Sequence, residues 1–174
     1  DGEVGVAKTI DGKSYLFNSD GEMVTGLRIL TYDGSKITNI SSEVDSADTV
    51  KNMNSDTMKL VYFESNGAAK TGTTTITLDG TSYTFSFKSN GSPRGVGETG
   101  ISDGYIYQNG LRLTADEDTK YGVVTYKNES YVVNEKGSIQ KNKKNLKDAD
   151  ETYYCTNAKG ILLHSSTEKC TTKH

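Results

Sequence analysis

The chain has 174 residues, a formal net charge of −3 and a pI near 5.4, with Lys and Arg scattered rather than striped, which argues against a nucleic-acid partner. Only 33% of it is hydrophobic and 9% aromatic, with 18 Gly against 1 Pro, a balance that favours many turns over one large core. No apolar run approaches the ~20 residues that cross a bilayer and no basic, hydrophobic-cored leader opens the chain, so a soluble piece that has shed any signal peptide is expected.

The clearest unit runs from Gly12 to Gly26. Tyr15 and Phe17, two apart, point to one side of a strand, and Asn18-Ser19-Asp20-Gly21 supplies a residue that tolerates positive φ where the chain reverses. Aligned on the turn glycine after each Tyr/Phe strand, the chain yields six units ending near Gly21, Gly67, Gly91, Gly110, Gly137 and Gly160. Their spacings are 46, 24, 19, 27 and 23 residues, a period near 23 with one long step after the first unit. The strands before these glycines begin at Tyr15, Val61, Tyr83, Tyr105, Tyr131 and Tyr153, and each alternates or nearly so.

A second, shorter apolar run and a tight turn precede most of these strands, at Asp11-Gly12, Asp79-Gly80, Asp103-Gly104 and Lys127-Asn128. Asp-Gly between alternating segments is a strong hairpin signal, because both central residues of a type I′ turn need positive φ. Leu27–Ile40 reads as a further hairpin, followed by an insertion at about 41–57. Within it Val44, Ala47, Val50 and Met53 recur every three residues behind Ser or Asp caps, which fits a short helix or an irregular loop. Thr114–Tyr121 is acidic and Gln140–Ala149 basic, both read as solvated surface, and the tail beyond Leu163 is expected to fray.

Small hairpins that cannot bury an apolar face alone do so by stacking. The fold class expected is therefore all-β, a β-hairpin repeat solenoid of about six units forming a single repeat domain over 1–174. Cys155 and Cys170, with 14 residues between them, are either independent thiols or a disulfide stapling the last unit. No metal is expected, since only His164 and His174 could assist them and neither has paired-ligand spacing. Asn18-Ser19-Asp20-Gly21-Glu22 lacks the remaining ligands of a calcium loop, Asp116, Glu117 and Asp118 share one loop, and no nucleophile elbow or catalytic triad order occurs. The reading is of a protein that is not an enzyme and carries no cofactor.

The pattern Gly5-x5-Asp11-Gly12-Lys13-x-Tyr15-x-Phe17-x-x-Asp20-Gly21-x-Met23-x-Thr25-Gly26 resembles the cell-wall-binding (choline-binding type) repeat of Gram-positive surface proteins, a family related to glucan-binding repeats and clostridial toxin C-terminal repeats. It matches well again around Tyr62–Gly72 and Leu78–Gly91, then fades. The resemblance implies a hairpin solenoid, a secreted or cell-wall-associated location and binding of a cell-wall polymer or other glycan. In choline-binding members a Trp follows the glycine opening each unit and helps cage the quaternary ammonium; here those positions are Val6, Leu27, Thr73 and Val123. A glycan is thus the expected ligand, with a structural spacer or protein-binding stalk as the alternative. The candidate ligand-facing rings are Tyr15, Tyr32, Tyr62, Tyr83, Tyr105, Tyr107, Tyr126, Tyr131 and Tyr153, each of which could instead fill the space between hairpins.

Overall fold

The hairpin turns form as their residues dictate. In the computed structural model, which describes residues 2–91 and 94–170, Asp11-Gly12 has φ of 52° and 78°, Asp79-Gly80 48° and 78°, Asp103-Gly104 53° and 85°, and Lys127-Asn128 49° and 66°. All four are two-residue turns with both φ positive, whose twist matches that of the strands they join. They connect β1 (Gly5–Ile10) to β2 (Lys13–Asn18), β6 (Gly72–Leu78) to β7 (Thr81–Phe87), β8 (Gly100–Ser102) to β9 (Tyr105–Gln108), and β11 (Tyr121–Tyr126) to β12 (Glu129–Asn134). The all-β hairpin repeat expected from the sequence is the fold observed.

The second repeat is split by its insertion. β3 (Gly26–Asp33) pairs antiparallel with β4 (Lys36–Ile40) and, on its other edge, with β5 (Met58–Phe63), so the strand order is β2-β1-β4-β3-β5. Between β4 and β5 lies α1 (Ala47–Lys51), capped by Ser46, whose side chain accepts from the Asp48 N–H at 3.2 Å. Of the two forms open to the insertion, the structure takes the short helix. Val44, Ala47, Val50 and Met53 are all buried, so their three-residue spacing is the inward stripe of this segment.

The remaining strands are β10 (Leu111–Arg112), β13 (Leu146–Lys147), β14 (Tyr153–Thr156) and β15 (Leu162–Ser166). By contact the described residues form two compact units, those within 1–99 together with 107–111, and those within 100–106 together with 112–170. The first has a core built on Leu16, Leu30, Ile37, Val61 and Phe63, and the second on Ile106, Ala115, Tyr131 and Val133. Among the described residues no helix is long and apolar enough to cross a membrane.

After the second strand of most hairpins the chain closes through one recurring turn. Asn18 accepts with Oδ1 from the N–H groups of Asp20 (3.0 Å) and Glu22 (2.9 Å), and the Gly21 N–H donates to the Asn18 carbonyl (3.0 Å). The chain then doubles back, and the Val24 N–H reaches the Leu16 carbonyl at 2.8 Å. Asn134 and Asn157 repeat the side-chain pattern, with Gly137 and Gly160 in the third place. In the third repeat the loop is longer, and the glycine bonded back to the strand end, at Lys88, is Gly95 rather than Gly91.

A further copy lies where sequence showed only basic surface. Asp148 accepts from the Asp150 and Thr152 N–H groups, both at 2.9 Å, and Glu151 holds the positive-φ place at 65°. With no glycine to mark it, this turn escaped the alignment; Asp148 is buried and Leu146–Lys147 is a strand. The tail is also held more firmly than expected. β15 pairs with β14, and a disulfide joins Cys155 to Cys170 with their Cα atoms 6.6 Å apart. Residues 171–174 lie outside the described residues.

The turn glycines also carry the stacking. A Cβ on Gly67 would strike the Met23 side chain, one on Gly95 would come within 2.8 Å of Ala69 Cβ, one on Gly137 within 2.9 Å of Arg112 Cδ, and one on Gly160 would strike Ile139. The segments at Met23, Ala69, Arg112 and Ile139 are thus seats for later turns. The same segments bond backward, as the Ala69 N–H does to the Ser14 carbonyl and the Ile139 N–H to the Gly104 carbonyl.

Gly160→Ala combines a forbidden contact with φ of +88° and is expected to destabilise by about 2–4 kcal/mol, whereas Gly12→Ala, at φ +78° with nothing within 4 Å, should cost about 1–2 kcal/mol. Urea melts of the two variants measure the difference. Replacing Cys155 and Cys170 by Ser opens a loop spanning 15 positions and should cost about 3 kcal/mol in the same assay, with the wild type under reductant matching the variant.

Candidate functional site

Tyr rings recur once or twice per repeat, and their environments separate those free to meet a ligand from those spent on packing. Tyr107 and Tyr131 are 4% and 8% exposed, and Tyr131 belongs to the core of the second unit, so these two rings fill space between strands. Tyr62 is half-buried and stacks on Phe87 with ring centroids 6.5 Å apart. Tyr83 is half-buried on β7 opposite Ile76.

Tyr105, Tyr126 and Tyr153 each have a cation towards one face. The Arg112 guanidinium lies 3.6 Å from the centre of the Tyr105 ring, Lys127 Nζ is 5.5 Å from Tyr126, and Lys169 Nζ is 6.0 Å from Tyr153. The Arg112 guanidinium covers the Tyr105 face that a sugar would use, whereas the exposed Lys127 and Lys169 stand at the outer range of such a contact. Tyr154 is buried, and its hydroxyl donates to Asp148 Oδ2 at 2.8 Å. Burial, that bond and the charges of Asp148 and Asp150 push its phenol up to about 12.

Among the half-buried rings, Tyr15 and Tyr32 lie together in the first unit. With Leu16, Leu30, Val61 and Phe63 they border a small apolar cavity of about 10 Å³. Tyr32 also lines an open groove of about 730 Å³, together with Val6, Ile37, Glu3, Asp33, Asp56 and Lys59. It is half-buried, and burial raises its phenol above the ordinary tyrosine value.

Strand pairing assembles this groove from distant segments. Gly5 of β1 pairs with Ile37 of β4, and the missing Cβ lets the two approach, since one there would lie 2.9 Å from Ile40 Cδ1. The Thr31/Tyr32 register shift falls at the ring itself, and the Tyr32 N–H donates to the Thr57 carbonyl at 2.8 Å. That bond ties the end of the insertion, with Asp56 and Thr57, to the groove wall.

The groove therefore offers an aromatic ring and the exposed Val6 side chain for the apolar face of a ligand, carboxylates to accept from hydroxyls, and Lys59, Ser35 and Thr57 to donate. Of its polar groups the sequence marked none. Glu3, Asp33, Asp56 and Lys59 stand in different strands and loops with no common spacing, and only the β1–β4 and β3–β5 pairings gather them.

No family model and no curated protein matches the chain. Among solved structures, the choline-binding protein CbpJ of Streptococcus pneumoniae TIGR4 is similar with a TM-score of 0.53 at 19% identity, over 90% of this chain and 59% of that one. Choline binding protein F of Streptococcus pneumoniae aligns at 18% identity over 93% of this chain and 48% of that one, with a TM-score of 0.35. The chain thus spans 59% or less of the length of these two neighbours. The likeness to CbpJ shows the fold, which is of the choline-binding repeat type that the Gly12–Gly26 stretch resembles.

Spectrophotometric titration is expected to show phenols ionising late, with the portion near pH 12 removed by Tyr154→Phe. Because the folded value lies above the ordinary 10.0, the Tyr154 contribution to stability is complete below pH 10 and lost as the pH rises towards 12. Wild type and Tyr154→Phe should therefore differ in unfolding free energy at pH 8 and converge at pH 12.

Proposed function

We propose that this chain is a non-catalytic carbohydrate-binding repeat module of a secreted or surface protein, attaching it to a cell-wall polymer or other glycan. The observation that carries this reading is the Tyr32 groove, where a half-exposed ring is surrounded by carboxylates and hydroxyls. Sugars present alternating apolar faces and hydroxyl edges, and a shallow groove with one aromatic wall and several acceptors complements both. Support comes also from the fold shared with a choline-binding protein.

Choline itself fits less well. The positions that would supply ring walls are Val6, Leu27, Thr73 and Val123; Leu27 is buried, and Val6 and Val123 are aliphatic and exposed. Each absent ring removes about 0.5–2 kcal/mol of attraction for a quaternary ammonium. A stalk that kept the repeat and lost its ligand sites is the second reading, favoured by the guanidinium that covers Tyr105.

The test is a glycan array together with retention on purified bacterial cell walls. Wild type is expected to bind, and Tyr32→Ala and Asp56→Asn each to weaken binding about tenfold, the second guarding against loss of fold in the first. Failure of the wild type in both assays favours the stalk.

A further inference from the structure

A second groove in the first unit has the opposite electrostatic character. Lys13, Lys70 and Arg94 line it with Glu64, Ser14 and Thr71, around a volume of about 260 Å³. The three cations come from different places in the chain: the start of β2, the segment after Gly67, and the loop after β7. Two bonds gather them. The Ala69 N–H donates to the Ser14 carbonyl and Arg94 Nη1 to the Gly12 carbonyl, both at 2.8 Å.

Three cations share this groove with one carboxylate, in a chain whose net charge is −3. Among the described residues none of the three is in a salt bridge; the ion pairs found are Arg28–Glu43 and Lys147–Glu151. Like charges held together raise the local potential, and a bound anion relieves it. The hydroxyls of Ser14 and Thr71 add neutral donors. The bond to Gly12 also directs the Arg94 guanidinium towards the β1–β2 turn.

We propose that this groove is an oxyanion subsite, which takes a phosphate or carboxylate group carried on a saccharide. It rests on the glycan reading only for what carries the anion, and it uses none of the residues of the Tyr32 groove.

The experiment is an NMR titration of the whole chain with glucose 6-phosphate, glucuronate and glucose. Either anion should give saturable shifts at the Ser14 and Thr71 amides, weakening as salt is raised, while glucose leaves those amides unmoved. The tighter of the two identifies phosphate or uronic acid as the anion preferred. The double variant Lys13→Gln/Lys70→Gln should bind about tenfold more weakly. Glu64→Gln should bind several-fold more tightly, a gain that damage to the fold would not produce. Absence of saturable shifts with both anions, or shifts unchanged in the double variant, overturns the proposal. Loss of anion binding with wall retention intact removes this subsite alone, whereas loss of wall retention with anion binding intact removes the Tyr32 reading alone.

Discussion

The repeats depend on a contact between an α-carbon and a side chain. Gly67, Gly95, Gly137 and Gly160 lie against returning segments of earlier repeats, so closely that Gly67 and Gly160 leave no room for a methyl group against Met23 and Ile139. Two requirements meet at that atom, since the turn needs positive φ and the stacking needs an absent Cβ. Hairpins with little apolar surface of their own acquire a core only when this seat is filled, because burial then comes from both neighbours. The low hydrophobic content follows from the same arrangement: no residue has to reach the middle of a large interior.

What the sequence made legible is what the backbone alone requires. Hairpins appear at Asp11-Gly12, Asp79-Gly80 and Asp103-Gly104 because positive φ at two successive positions admits few residue types. Features that depend on neighbours were hidden. The Asp148 turn carries Glu151 at positive φ in place of glycine, where its side chain stays exposed. The longer loop before Gly95 displaced the third turn from Gly91, a shift that only the bond to Lys88 reveals. Whether a Tyr is buried, as Tyr107 is, or half-exposed, as Tyr32 is, depends on strands far away in sequence.

The candidate site was legible in part for a related reason. Tyr32 stood among the candidate rings, and the structure places it in the groove with Glu3, Asp33, Asp56 and Lys59. Those polar residues carry no local signal, since the insertion brings Asp56 to the wall through the Thr57–Tyr32 bond. The long step between the first two turn glycines is thus more than a spacer; it supplies part of the surface on which a ligand would rest. Elsewhere, rings such as Tyr105 are paired with cations of the chain itself, so the same residue type serves packing in one repeat and remains available in another.

The disulfide has a mechanical consequence. Tension applied at Cys170 would, without the cross-link, peel β15 from β14 one hydrogen bond at a time. With Cys170 joined to Cys155, the load bypasses residues 156–169 and enters the last repeat at Cys155, a buried position on β14. β15 is then slack under traction, and the load falls on β14, which is held by its pairing with β13 and by its buried side chains.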